Sequence, residues 1–152
     1  MSIHIRWTIR RDFPDMVQVE KEASVDPLDE DDITKLLLQR SVIGLGAFDG
    51  TDNAAQMLAF VIYELDQTSM EVLRLTAAPG SIAEAAKEAI MTRLKEKLSH
   101  NRRKTLRVSI ADMDPSLERY LATGFKEVSR TITLEFTATE NQESPTAKEA
   151  VA

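Results

Sequence analysis

Between residues 71 and 98 the chain reads EVLRLTAAPGSIAEAAKEAIMTRLKEKL: a strand-like run, a break at Ala77-Ala78-Pro79-Gly80, and a long amphipathic helix. A strand that passes through a tight loop into a helix N-terminus is suited to holding an anion. The first free N–H groups and the positive end of the helix dipole converge there. Two features of the sequence bear on that use. Ser81 and Glu84 have the spacing of a capping box, which would occupy two of those amides and leave a carboxylate at the anion position. At ~4 Å, like charges near a surface repel by several kcal/mol at most. Lys87, further along the same helix, is the opposing feature, a cation that can pair with a phosphate.

The remaining chemistry-bearing residues are fewer. Asp26, Asp29, Glu30, Asp31 and Asp32 form an acidic run that reads as the solvated first turn of a helix. Arg102, Arg103, Lys104 and Arg107 form a basic cluster that suits a helix C-terminus. His4 and His100 fit no metal-ligand spacing, and the chain has no cysteine, so no metal site is expected.

The bulk composition frames this. At 152 residues with 43% apolar content, the chain is expected to fold as one globular domain with a real core. No apolar run approaches the ~20 residues of a membrane span, and residues 1–13 lack the apolar stretch of a signal peptide. The expectation is a cytoplasmic protein. A net charge of −6 argues against nonspecific nucleic-acid binding.

Several elements must position these residues. Ile3, Ile5, Trp7 and Ile9 alternate with polar residues, which predicts a half-buried strand over 3–10. Asp12 and Pro14 open a short helix, Val25-Asp26-Pro27-Leu28 breaks it, and a second helix is expected over 29–40. Strands over 42–48, 57–65 and 70–76 follow, joined by turn-rich segments. In the helix after Gly80, Ile82, Ala86, Ala89, Ile90, Leu94 and Leu98 are spaced to share one buried face. A strand over 106–110, a short helix capped by Asp114 and ended by Gly124, and a strand over 128–136 complete the order. Residues 137–152 lack apolar periodicity and read as a disordered tail. The pattern is mixed α/β (α+β), a single sheet of about six to seven strands flanked on both faces by about four helices.

This order, with the strand–proline–helix at its centre and Tyr120-Leu-Ala-Thr-Gly124-Phe125 near its end, resembles the GNAT acetyltransferase superfamily. Within it the chain is most like the ribosomal-protein alanine N-acetyltransferases, through Ile5-Arg-Trp-Thr-Ile-Arg-Arg-Asp12, the helix entry from Pro27 to Ile33, and residues 46–65. The likeness covers residues 3–136, within a domain of residues 1–136. It implies acetyl-CoA as the acyl donor, a protein or peptide amine as acceptor, and direct transfer in a ternary complex. The acetyl-CoA loop would begin near Ala77. Counting from Pro79, the positions that the family fills with Gln or Arg, Gly, and Gly or Ala are Ile82, Ala85 and Lys87 here. Tyr120 matches the tyrosine whose hydroxyl protonates the departing thiolate. The family's glutamate general base corresponds to Val108 and its asparagine to Met113, with Asp112 and Asp114 adjacent. The acidic run around Asp29 would border the acceptor groove, and the basic cluster around Arg103, by default a helix end, has as alternatives an adenosine 3′-phosphate or nucleic acid as its contact.

Three readings follow. The first is an acetyl-CoA-dependent N-acetyltransferase. The second is a GNAT-like binding or regulatory subunit that no longer binds acetyl-CoA, pairing with a protein partner or a second copy. The third is an acyltransferase with another donor or another pyrophosphate geometry. They differ in whether an opening exists beside the central strand near Ala77.

Overall fold

The computed structural model describes residues 2–51, 54–99 and 102–138. The chain divides into two compact units, Met1–Ser109 and Ile110–Ala152. The expected tail over 137–152 lies almost wholly outside the described residues, as does His100.

The first unit holds a single open sheet of five strands in sequence order. These are β1 (Ile3–Trp7), β2 (Val42–Asp49), β3 (Gln56–Leu65), β4 (Ser69–Ala77) and β5 (Thr105–Val108). The first four pair antiparallel, and β4 pairs parallel with β5. Its helices are α1 (Phe13–Ala23), α2 (Glu30–Leu37) and α3 (Ser81–Glu96).

Strand β3 is buried along almost its whole length, so both faces of the sheet are covered. On one face Phe60 and Ile62 of β3 and Val42 and Phe48 of β2 pack against Phe13, Met16 and Val19 of α1 and Ile33 of α2. Alternation sends Ala59, Val61 and Tyr63 to the other face. There α3, which packs on β2, β3 and β4, buries Ala83, Ala86, Ile90, Met91 and Leu94. Ile82, expected on the buried face of α3, is instead 44% exposed. The buried stripe begins at Ala83 and Ala86, whose small side chains let the start of the helix lie close to the sheet.

Local chemistry accounts for the element ends. β1 stops at Trp7, short of the expected residue 10, because the Asp12 carboxylate turns the chain back. It accepts the Ile9 amide at 2.8 Å and a two-point ion pair from Arg6 at 2.8 and 3.0 Å. Asp12 therefore anchors β1, and its side chain does not cap α1. The α2 entrance carries a reciprocal capping box: the Asp32 amide donates to Asp29 Oδ1 at 2.8 Å, and the Asp29 amide to Asp32 Oδ2 at 3.1 Å.

The second unit contains α4 (Leu117–Ala122). The expected strand over 128–136 is not formed, and this accounts for five strands where six to seven were expected. Val128, Ile132, Leu134 and Phe136 are exposed, and a period of two names a face without naming a neighbour to pair with. Asp114 is not the helix N-cap. Its Oδ1 accepts the Ser116 amide at 2.8 Å and the Ser116 hydroxyl at 2.6 Å, a turn that precedes the helix.

Candidate functional site

The site grows from a change in the pairing of β4. Its edge toward β5 is paired from Ser69 to Val72, where Val72 faces Val108. Beyond that point β4 runs on to Ala77 with no strand on that edge among the described residues of the first unit. The opposite edge changes at the same place: Val72 faces Tyr63 and Arg74 faces Ile62, so Leu73 is an extra residue, a β-bulge. A bulge re-aims backbone groups and increases local twist, and bulges are frequent beside active sites. Here it coincides with the end of β5 at Val108, beyond which no strand of the first unit pairs with that edge of β4 among the described residues.

The strand exit leads directly to a helix start. The Ala78 amide donates to the Leu58 carbonyl at 2.9 Å, fixing the exit to β3. Pro79 has no amide, and Gly80 adopts φ 120 and ψ 160, a conformation that only glycine takes without strain. Gly80 is the N-cap of α3, so no side chain caps the helix. The expected capping box is therefore not formed: Ser81 and Glu84 are the first and fourth helical residues, not the cap and third. The Glu84 amide bonds back to the Gly80 carbonyl at 3.2 Å. The amides of Ser81, Ile82 and Ala83 precede the first intrahelical bond and point out of the helix end.

Each residue singled out in the sequence can now be placed. Ala77 ends β4 opposite Ala59, half-buried, at the mouth of the unpaired edge. Ile82 lies in the exposed first turn of α3. Ala85, exposed, and Lys87, half-buried, lie within the helix, so their amides serve its internal ladder. The structure thus brings Ala77 and Ile82 to the strand–helix junction and sets Ala85 and Lys87 one to two turns away. Val108 ends β5 beside the bulge and carries no ionisable group.

In the second unit, Tyr120 lies on α4 within a complete helix stop. Gly124 has φ 102 and donates to the Leu121 carbonyl at 3.3 Å, and the Phe125 amide donates to the Tyr120 carbonyl at 3.1 Å. The Phe125 ring meets the Tyr120 ring edge-on at 5.2 Å. This is a Schellman motif with its hydrophobic contact, and it explains the Tyr-x-x-x-Gly-Phe spacing on structural grounds. Met113 is exposed, and Asp112 pairs with Arg130.

Sequence reasoning missed a buried ionic network directly behind the bulge. Glu20 of α1 is fully buried. It accepts from Arg74 Nε at 2.9 Å and Nη2 at 2.5 Å, from Thr76 Oγ1 at 2.7 Å, and from the Leu28 amide at 2.9 Å. Arg74 also donates to Ser24 Oγ at 3.3 Å and the Asp26 carbonyl at 3.2 Å. Burial raises the Glu20 pKa, but these donors outweigh it and hold the carboxyl below its ordinary range. The network ties the α1–α2 connection to the half of β4 that lies beyond the end of β5 and is paired with β3 alone among the described residues of the first unit. Its signal in the sequence is Arg74 and Thr76, two polar residues two apart in an otherwise apolar strand.

Among the described residues no group of His, Cys, Asp and Glu could hold a metal ion, and no helix is long and apolar enough to cross a membrane. The arrangement can bind an anion at the helix start and an extended amide-bearing chain along the β4 edge, by strand-like hydrogen bonding.

No protein-family model and no curated protein sequence matches this chain. Solved structures do. The ribosomal-protein-S18-alanine N-acetyltransferase of Escherichia coli matches with a TM-score of 0.71 at 18% identity, over 84% of this chain and 80% of that one. The ribosomal-protein-alanine N-acetyltransferase of Brucella melitensis biovar Abortus matches with a TM-score of 0.65 at 16% identity, over 89% and 100%. An aminoglycoside 6′-N-acetyltransferase of Acinetobacter baumannii matches with a TM-score of 0.68 at 13% identity, over 91% and 100%. The chain has the fold of the GNAT acetyltransferases.

Proposed function

We propose that the unpaired edge of β4 and the first turn of α3 bind acetyl-CoA, and that the chain transfers the acetyl group to an amine of a protein or peptide. The observation that carries this reading is the coincidence, at Leu73, of the bulge with the end of β4–β5 pairing, on a strand that leads straight into an uncapped helix start. Two anionic phosphates are placed against the amides of Ser81, Ile82 and Ala83. The pantetheine amides pair with the free edge over residues 73–77. The thioester then lies at the bulge, where a re-aimed backbone N–H can stabilise an oxyanion.

In the reaction the amine nitrogen attacks the thioester carbonyl carbon and its π electrons move to oxygen. The tetrahedral intermediate collapses with cleavage of the C–S bond, and the amine proton is lost to solvent. The departing thiolate takes a proton, the role that the GNAT resemblance gives to Tyr120. The fold's known relatives act on acceptors as different as a ribosomal-protein alanine and an aminoglycoside, so the acceptor is inferred from the sequence likeness and not from the fold.

A second reading rests on Val108. The position beside the bulge that the resemblance assigns to a general base has an apolar side chain, which favours a subunit that recognises without catalysing. Calorimetric titration with acetyl-CoA and with CoA separates the readings. Saturable binding at ~1–100 μM supports the donor site. Tyr120→Phe then leaves affinity unchanged and lowers acetyl transfer to a peptide amine by ~10²-fold or more. Absence of binding to either ligand supports the second reading.

A further inference from the structure

Glu20, the most deeply buried charge among the described residues, lies behind the stretch of the sheet with the least support. β4 has a strand on both edges only as far as Val72. From Leu73 to Ala77 it is paired with β3 alone among the described residues of the first unit. The two polar residues of that stretch, Arg74 and Thr76, sit opposite Ile62 and Phe60, on the face that α1 covers. Both donate to Glu20, whose side chain has no exposed surface.

Stability alone is a poor account of this network. The positions next to it, Met16 and Val19 on α1 and Phe60 and Ile62 on β3, belong to an apolar core. In such surroundings the cost of desolvating a buried ion pair offsets its attraction, and apolar replacements of similar volume are often neutral or stabilising. What the network adds over apolar packing is direction. The planar Arg74 guanidinium reaches Glu20 through two nitrogens, and one of these also reaches Ser24 Oγ and the Asp26 carbonyl. A fork satisfied at so many fixed points holds its side chain, and the backbone that carries it, in one arrangement. Thr76, two residues on, is held to the same carboxylate. Residues 74 and 76 are thus pinned from the α1 face immediately after the bulge at Leu73.

We infer that Glu20 and Arg74 are positioning residues for the acetyl-CoA site: from the α1 face they hold residues 73–77 of β4 in place, so that the outer edge is preformed for an extended, amide-bearing ligand. The inference rests on the reading of this edge as the acetyl-CoA site. A preformed edge favours binding because the ligand does not have to order it.

Two variants separate positioning from stability. Arg74→Lys keeps a cation beside Glu20 and loses the fork. Glu20→Met combined with Arg74→Met removes both charges and fills their space with apolar side chains, which retains the fold without the directional contacts. Hydrogen exchange of the unliganded proteins reads the strand directly. In both variants the amides of residues 73–77 that pair with β3 are expected to exchange ~10-fold or more faster, while those of β2 keep wild-type rates, because local opening moves only local amides. In calorimetric titration acetyl-CoA is expected to bind each variant ~10-fold or more weakly than the wild type. Wild-type exchange over residues 73–77, an equal rise in β2, or unchanged acetyl-CoA affinity in the variants overturns the assignment alone. A wild type that binds no acetyl-CoA overturns the reading of the edge and the assignment with it. The two failures are distinguishable, since the second shows in the wild type and the first only in the variants.

Discussion

At the residue scale, Glu20 and Gly80 carry the most. Glu20 is a carboxylate taken wholly out of water and held by Arg74, Thr76 and the Leu28 amide. Removing one partner of such a pair leaves the other charged and unsatisfied. Glu20→Gln is expected to lower stability by about 3 kcal/mol in urea unfolding. The pH dependence has a definite sign. The folded carboxyl titrates below its ordinary value of 4.5, so its contribution is fully present above that value and is lost as pH falls through the folded pKa. Unfolding followed from pH 7 into the acid range should therefore show a shallower acid limb in Glu20→Gln than in the wild type. At Gly80 the constraint is the backbone: nothing lies within 4 Å of where a Cβ would project, yet φ is 120. Gly80→Ala should cost about 1–2 kcal/mol through strain alone. Because α3 starts there, the same change should weaken acetyl-CoA binding in a calorimetric titration.

At the element scale, helix entrances decide more than helix interiors. The α2 entrance is closed by the reciprocal Asp29–Asp32 box, whereas the α3 entrance is left open by Gly80. Asp29→Ala is expected to cost about 1 kcal/mol in thermal or urea unfolding, with no effect on acetyl-CoA binding. The contrast also shows where the sequence was legible. The hydrophobic period located β2, β3 and β4 to within about a residue and the end of α3 to within two, because each buries a regular face. The capping box at Ser81 and Glu84 was a false signal. The spacing was right, but Gly80 had already taken the cap position through a backbone conformation that side-chain patterns do not encode. The bulge at Leu73 was likewise invisible, since a bulge is a relation between two strands and a sequence shows them one at a time. The exposed alternation over 128–136 failed as a strand for the same reason. Tyr120, Gly124 and Phe125 were legible as a unit, and their geometry is that of a helix stop.

At the scale of the whole molecule, the fold is shared with acetyltransferases of different acceptors, and function must come from the site. The site in the first unit has a consistent logic. A sheet whose fifth strand ends beside a bulge in the fourth offers backbone hydrogen bonds to an extended ligand, and a helix dipole ends at the same place. None of this depends on ionisable side chains, which is why a scan for catalytic residue types finds little in residues 73–83 beyond Arg74, itself committed to Glu20. Hydrogen–deuterium exchange with and without saturating acetyl-CoA tests the claim most directly. Slowed exchange confined to the amides of residues 73–77 and of Ser81, Ile82 and Ala83 is the predicted result. Unchanged exchange across these amides, or protection only elsewhere in the chain, would contradict it.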